Sequence, residues 1–173
     1  MQATYPSRSR VIVFPPLVPL AGFLLGIVLE KIHPVQVLFS QPVRIVSGAV
    51  GMVLFAVGVV GYGWMVRTFK RMRTPIHNAR TPTMLVKTGP FRFSRNPMYL
   101  FGSIGYLGLS LLSLQLWAAA LLVVVVLTLH YGVVLREEEF LLSRFGEEYV
   151  RYKARVPRYF KCVATNRAEN FAP

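Results

Sequence analysis

Aspartate is absent from this chain, and six of its seven glutamates lie between Glu137 and Glu169, so acidity is confined to the last quarter of the sequence. Cysteine is nearly absent. Cys162 stands alone in a basic tail, which excludes an intramolecular disulfide and any cysteine-based metal site. Histidine is scarce as well: His33, His77 and His130 are scattered and support no metal centre. No internal repeat and no low-complexity tract is present. The apolar residues, 54% of the 173, also lack the interruptions a soluble domain needs. They come in blocks with charge confined to the gaps, which is the membrane pattern.

The blocks predict four crossings, at residues 11–29, 43–66, 97–113 and 117–135. Each is apolar over a length that covers most or all of a hydrocarbon core of about 30 Å at about 1.5 Å per residue. Arg8 and Arg10 before the first block imitate a signal peptide. Glu30-Lys31-Ile32-His33-Pro34 follows in place of a small-residue cleavage site, so an uncleaved anchor is expected. Pro15, Pro16 and Pro19 are expected to kink its first half. Glycines stud the second block, which fits close helix packing through small residues. The third and fourth blocks, only a few residues apart, form a tight helical hairpin. The expected fold is therefore an all-α integral membrane domain over residues 1–173, ending in a hairpin plus an interfacial helix over about 138–156. Leu142, Phe145, Tyr149, Tyr152 and Val156 mark that last helix at three- and four-residue spacing.

Net charge is +13, yet the basic residues crowd beside apolar blocks, which points to anionic headgroups and away from nucleic acid. Four crossings put the N-terminus, the connection 67–95 and the C-terminus on one side, with two, eight and eight Lys/Arg. The other side has Lys31 and Arg44 alone, so both termini are expected in the cytoplasm.

Two places carry chemistry. Asn96-Pro97 is a helix start, with Asn suited to the N-cap and Pro to the first turn. Its amide groups, its dipole and Arg95 beside it make an anion site, or Arg95 simply reaches lipid phosphate. At the far end of the hairpin stand Glu137 and Glu138. They either pair with Arg92, Arg95 or Arg136, or bind an ammonium or a ribose hydroxyl. His130 lies seven residues earlier, on nearly the same helix face, as a structural histidine or a proton acceptor. Gly102, Gly105 and Gly108 leave one side of the third helix bare, for a neighbouring helix or for a flat ligand. The cationic start and the acidic finish together suit a small zwitterion, in a pocket opened toward lipid.

Thr88-Gly89-Pro90-Phe91-Arg92, Arg95-Asn96-Pro97-Met98-Tyr99, Glu137-Glu138, Phe145-Gly146-x-x-Tyr149-x-x-Tyr152 and Val156-Pro157-Arg158 resemble the isoprenylcysteine carboxyl methyltransferase superfamily, which includes phospholipid N-methyltransferases. The resemblance covers roughly residues 74–160. It implies an integral membrane methyltransferase using S-adenosylmethionine, with a lipid-soluble or lipidated acceptor. Carried over, the cofactor site falls on Arg95, Asn96, Pro97, Tyr99, Gly102, Gly105, Glu137 and Glu138, and Arg95, Glu138 and His130 are the candidate catalytic groups. Isoprenylcysteine enzymes typically have His where this chain has Asn96, so Asn-Pro-Met-Tyr is closer to the phospholipid enzymes and to short bacterial homologues. Two alternatives stand beside it. One is an NADPH enzyme like the membrane sterol reductases, with Arg144, Arg151, Arg155 and Arg158 on the phosphates; the other is a non-catalytic scaffold.

Overall fold

A computed structural model describes residues 15–35, 40–72 and 84–160. Among them every regular element is helical. Helix α1 (Leu17–Ile32) starts directly after Pro15-Pro16. These two prolines therefore sit where a missing N–H costs nothing, and they do not kink the helix as expected. Residues 11–14 of the expected first crossing lie outside the described residues. Helix α2 (Gln41–Arg71) is longer than the predicted 43–66 at both ends. Arg67, Lys70 and Arg71 thus belong to its last turns, beside the negative end of its dipole.

Helix α3 (Pro97–Leu112) packs most extensively on α2. The reason is backbone proximity: a Cβ on Gly58 would strike the Gly105 backbone, and one on Gly51 or Gly108 would strike the opposite helix. Ser47 adds a hydrogen bond from its Oγ to the Leu111 carbonyl (3.2 Å). Helix α4 (Leu116–Leu129) follows after a three-residue turn and packs on α1, where Gly26 meets the Ala118 backbone. The indole of Trp117 donates to the His33 carbonyl (2.8 Å) and ties that end.

The fourth element does not stop at 135. One wide π turn, His130–Val134, joins α4 to α5 (Leu135–Phe145) in a continuous rod. The break comes at Gly146, which takes φ +48°, a conformation costly for residues with a side chain. Helix α6 (Glu147–Arg155) follows. The single interfacial helix expected over 138–156 is thus two pieces, with Glu137 and Glu138 inside the rod. The apolar face of α6 is spent on protein: Tyr149, Tyr152 and Val156 are buried against Leu85, Leu141 and Phe145.

Two described rods, α2 and Leu116–Phe145, are long and apolar enough to cross a membrane, whereas α3 is apolar but only 16 residues long. Only 11% of the most apolar stretch of α2 is buried within the protein. Ile45, Val46, Met52, Val53, Val59 and Val60 point outward, unlike the side chains of a soluble core helix. Among the described residues, length and composition thus single out two candidate membrane helices where the sequence pattern predicts four crossings.

Candidate active site

The segment before α3 is anchored first. Gly89, at φ +61°, opens a short 3-10 turn against Thr68, and Phe91 meets Phe69 edge-to-face at 5.2 Å. Tyr152 of α6 donates to the Phe91 carbonyl (2.8 Å). Residues 94–96 are then laced to residues 157–158, which form a strap after α6. The Arg95 N–H donates to the Pro157 carbonyl (2.9 Å), and Ser94 Oγ to the Arg158 carbonyl (3.0 Å).

Glu138 is the hub of this seam. Its carboxylate accepts from Asn96 Nδ2 (3.2 Å) and from Arg158 Nε (3.1 Å) and Nη2 (2.9 Å). It also lies 3.1 Å from Arg95 Nη1, and the Arg95 and Glu138 side chains are each only 8% exposed. Asn96 occupies the N-cap position of α3, but its side chain does not cap the helix. Its amide donates to Glu138 instead, where a buried carboxylate gains from every donor it meets. Pro97 is buried at the first position of α3 and serves as a helix start. The Glu138 carboxylate holds the Arg158 guanidinium firmly protonated, above its ordinary pKa.

Two guanidiniums around one carboxylate leave a positive charge in excess. Nε and Nη1 of Arg95 are buried with no hydrogen bond of good geometry, even though Nη1 is within ion-pair distance of Glu138. The buried Tyr149 hydroxyl beside them is likewise unsatisfied. Burial, with Glu138 nearby, raises the Tyr149 pKa and keeps it neutral. Unsatisfied buried donors of this kind are rare and call for an acceptor. One turn further into α3, the Tyr99 hydroxyl donates to both oxygens of Glu137 at 3.0 Å.

Beyond Tyr99 a groove of about 310 Å³ opens between α3 and α4. Leu100, Ile104, Leu107, Leu122, Val126 and Leu129 form much of its wall. Tyr99 and Tyr159 stand in it together with Ser103 and Phe160, and no charged side chain among the described residues lines it. His130, in the π turn, lies behind Tyr159 with Nδ1 2.9 Å from the hydroxyl.

The structure therefore brings Arg95, Asn96, Tyr99, Glu137 and Glu138 to one seam, with His130 joined to the groove through Tyr159. It separates the two glycines from them. Gly105 faces Gly58 of α2, and Gly102 is exposed with nothing near its Cβ position, so neither adjoins the polar seam. The four-arginine phosphate site does not form: Arg144, Arg151 and Arg155 are exposed, Arg151 beside Glu147 (3.6 Å), and only Arg158 turns inward. Sequence reasoning missed Tyr159, Ser94 and the site role of Tyr149. Tyr149 was visible as part of an apolar stripe and of the Phe145-Gly146-x-x-Tyr149-x-x-Tyr152 motif, without a role in the site, and nothing local marks Tyr159.

The model of the phospholipid methyltransferase family matches residues 46–148, from α2 through the two glutamates and into α6. The chain is 32% identical over 118 residues to the nickel-cobalt-cadmium resistance protein NccN of Alcaligenes xylosoxydans xylosoxydans, covering 68% of this chain and 54% of the relative. It is 30% identical over 93 residues to the cobalt-zinc-cadmium resistance protein CzcN of Cupriavidus metallidurans, covering 54% of this chain and 43% of the relative. The chain thus spans about half the length of these curated relatives. No solved structure matches it. With well over half its length matched, Arg95, Asn96, Glu137 and Glu138 included, the chain belongs to the phospholipid methyltransferase family.

Proposed function

We propose that this chain is an S-adenosylmethionine-dependent methyltransferase of the membrane, acting on a lipophilic acceptor. In this reading it crosses four times with both termini in the cytoplasm, following the basic-residue asymmetry of 18 to 2. The observation that carries the proposal is the union of a cationic, under-satisfied seam with an adjoining apolar groove.

The fit to the donor rests on the chain's own groups. Arg95 and Tyr149 offer unsatisfied donors where the charge is positive, which suits a carboxylate. Glu137, oriented by Tyr99, is the negative group one turn away and suits an ammonium or a ribose hydroxyl. Glu138 accepts three hydrogen bonds and is ion-paired with Arg95, so its part is to hold Arg95, Asn96 and the strap in place. When bound, the donor supplies a methyl group already activated on a sulfonium. The protein's work is then to position and to exclude water. The aliphatic wall of the groove suits a dry site, and Tyr159 and Phe160, just after the strap, stand in it.

Calorimetry with S-adenosylhomocysteine tests this. Wild-type protein in detergent binds, while Arg95→Met and Glu137→Ala lose binding yet keep a cooperative melt. Unchanged affinity in both variants refutes the site, and a thermal shift with NADPH in place of S-adenosylhomocysteine refutes the donor.

A further inference from the structure

The His130–Tyr159 pair is not needed to bind the donor, and its placement has a chemical consequence. A histidine within an apolar rod is costly unless it meets protein or a cavity. Here the π turn at 130–134 displaces the rod locally, and such turns recur at functional sites. The turn sets Nδ1 2.9 Å from a hydroxyl that itself lines the groove. Tyr159 comes from the strap, so the two groups are brought together only by the folded seam. The groups around them are Tyr131 on the same rod (4.8 Å between rings), Tyr99 across the groove, and Arg158 with Glu138 behind the strap.

We propose that the groove takes an uncharged lipophilic acceptor carrying a weakly acidic O–H or S–H, a phenol or a thiol. Tyr159 contacts the reacting atom, and His130 is the proton acceptor behind it. The proposal rests on the methyl-transfer reading and narrows its substrate. Two observations select this class. Among the described residues the lining has no cation to meet a carboxylate or a phosphodiester, and no anion to meet an ammonium. A carboxylate acceptor is already ionised and has no use for a proton acceptor, whereas a phenol or thiol must shed a proton as it attacks. The balance is as follows. The acceptor proton passes to the Tyr159 oxygen while the Tyr159 proton passes to His130 Nδ1. The acceptor lone pair forms the new bond to carbon. The carbon–sulfur bond breaks with its electron pair left on sulfur, and the imidazolium afterwards releases its proton to water.

The test needs no methyl donor. The absorption band of 4-nonyl-2-nitrophenol moves to longer wavelength and strengthens when the phenol ionises, so its phenolate band reports the proton acceptor directly. Wild-type protein in detergent is expected to bind it and to raise its phenolate fraction above that in detergent alone, on the acid side of the probe's own titration. His130→Gln and Tyr159→Phe are expected to bind it within about twofold and lose the extra phenolate band, while keeping their S-adenosylhomocysteine affinity. With donor present, wild type methylates 4-nonylphenol or 1-dodecanethiol, the variants are slower by about 100-fold, and dodecanoate and phosphatidylethanolamine are inert. An equal phenolate band in all three proteins overturns the proposal, as does methylation of dodecanoate or phosphatidylethanolamine alone. A wild-type protein that ionises the phenol but does not bind S-adenosylhomocysteine removes the donor reading and leaves this acceptor site standing.

Discussion

Replacing Glu138 by alanine leaves two guanidiniums facing each other in a space from which water is largely shut out. The side chains of Glu138 and Arg95 are each 8% exposed, so this arm of the cluster is effectively buried. Removing one partner of such a pair costs about 3–5 kcal/mol, because the other charge stays desolvated. The Arg158 arm is 31% exposed and can turn to solvent, so its share is no more than about 1 kcal/mol. For a chain of this size each kcal/mol moves the midpoint by about 2–4 °C, so Glu138→Ala should melt roughly 10 °C below wild type. Trp64 and Trp117 provide the fluorescence for the melt in detergent. The double variant Arg95→Met/Glu138→Leu removes both charges at similar volume and should recover most of the loss, since the pair itself adds little net stability. Only the removal of a partner should be expensive. Glu138→Ala melting within about 2 °C of wild type refutes the hub, as would a double variant no better than the single one.

Tyr149→Phe should move stability and binding in opposite directions. The lost hydroxyl is buried beside Arg95 with no hydrogen bond of good geometry, so the donor-free protein is unchanged or more stable, by up to about 1 kcal/mol, while S-adenosylhomocysteine affinity falls about tenfold. The pH dependence follows from the same group. An unfolded tyrosine ionises near pH 10, and burial raises Tyr149 above that. Stability is therefore full below about pH 10 and declines as pH rises toward the folded value, and the decline is shallower in Tyr149→Phe. In α2, Gly58→Ala should cost about 1–3 kcal/mol by forcing α3 away, as its Cβ would collide with the Gly105 backbone. Gly63→Ala, with nothing within 4 Å of the new methyl, should be neutral or slightly stabilising in the same melt.

The hairpin and its polar ends were legible because their signals are local. A run of apolar residues bounded by Asn96-Pro97 names a helix start, and Glu137-Glu138 stands out against the apolar rod. The end of that rod was misplaced for a local reason too. Leu142, Phe145, Tyr149, Tyr152 and Val156 keep helical spacing through Gly146, and spacing carries no information about a backbone angle. Gly146 turns the chain at φ +48° while both flanking helices stay amphipathic, so one stripe became two helices. Gly105 was ambiguous in principle. A bare patch on a helix is the same in sequence whether a ligand or a second helix covers it, and only the position of Gly58 decides. Tyr159 was illegible because it follows the last helix, where no period exists and tertiary hydrogen bonds from Ser94, Arg95 and Asn96 fix the chain.

The expected opposition of a cationic helix start to an acidic helix end turns out to be a contact, since Arg95 and Glu138 pair directly. At first sight that pairing competes with a ligand for Arg95. The charge count resolves it. Glu138 is shared by two guanidiniums and Asn96, so it can neutralise only one of the cations, and it leaves Arg95 Nε and Nη1 buried with no hydrogen bond of good geometry. A binding site assembled this way is held in shape before any ligand arrives, by a carboxylate that the ligand does not have to displace. Its remaining positive charge sits in a medium of low dielectric, where an incoming carboxylate is worth more than at an exposed arginine. The same carboxylate fixes Arg158, and so fixes the strap that carries Tyr159 to His130. One buried side chain therefore sets the geometry of the donor seam and of the acceptor groove, which is why the two halves of the reaction can be tested through separate residues yet should fail together when Glu138 is lost.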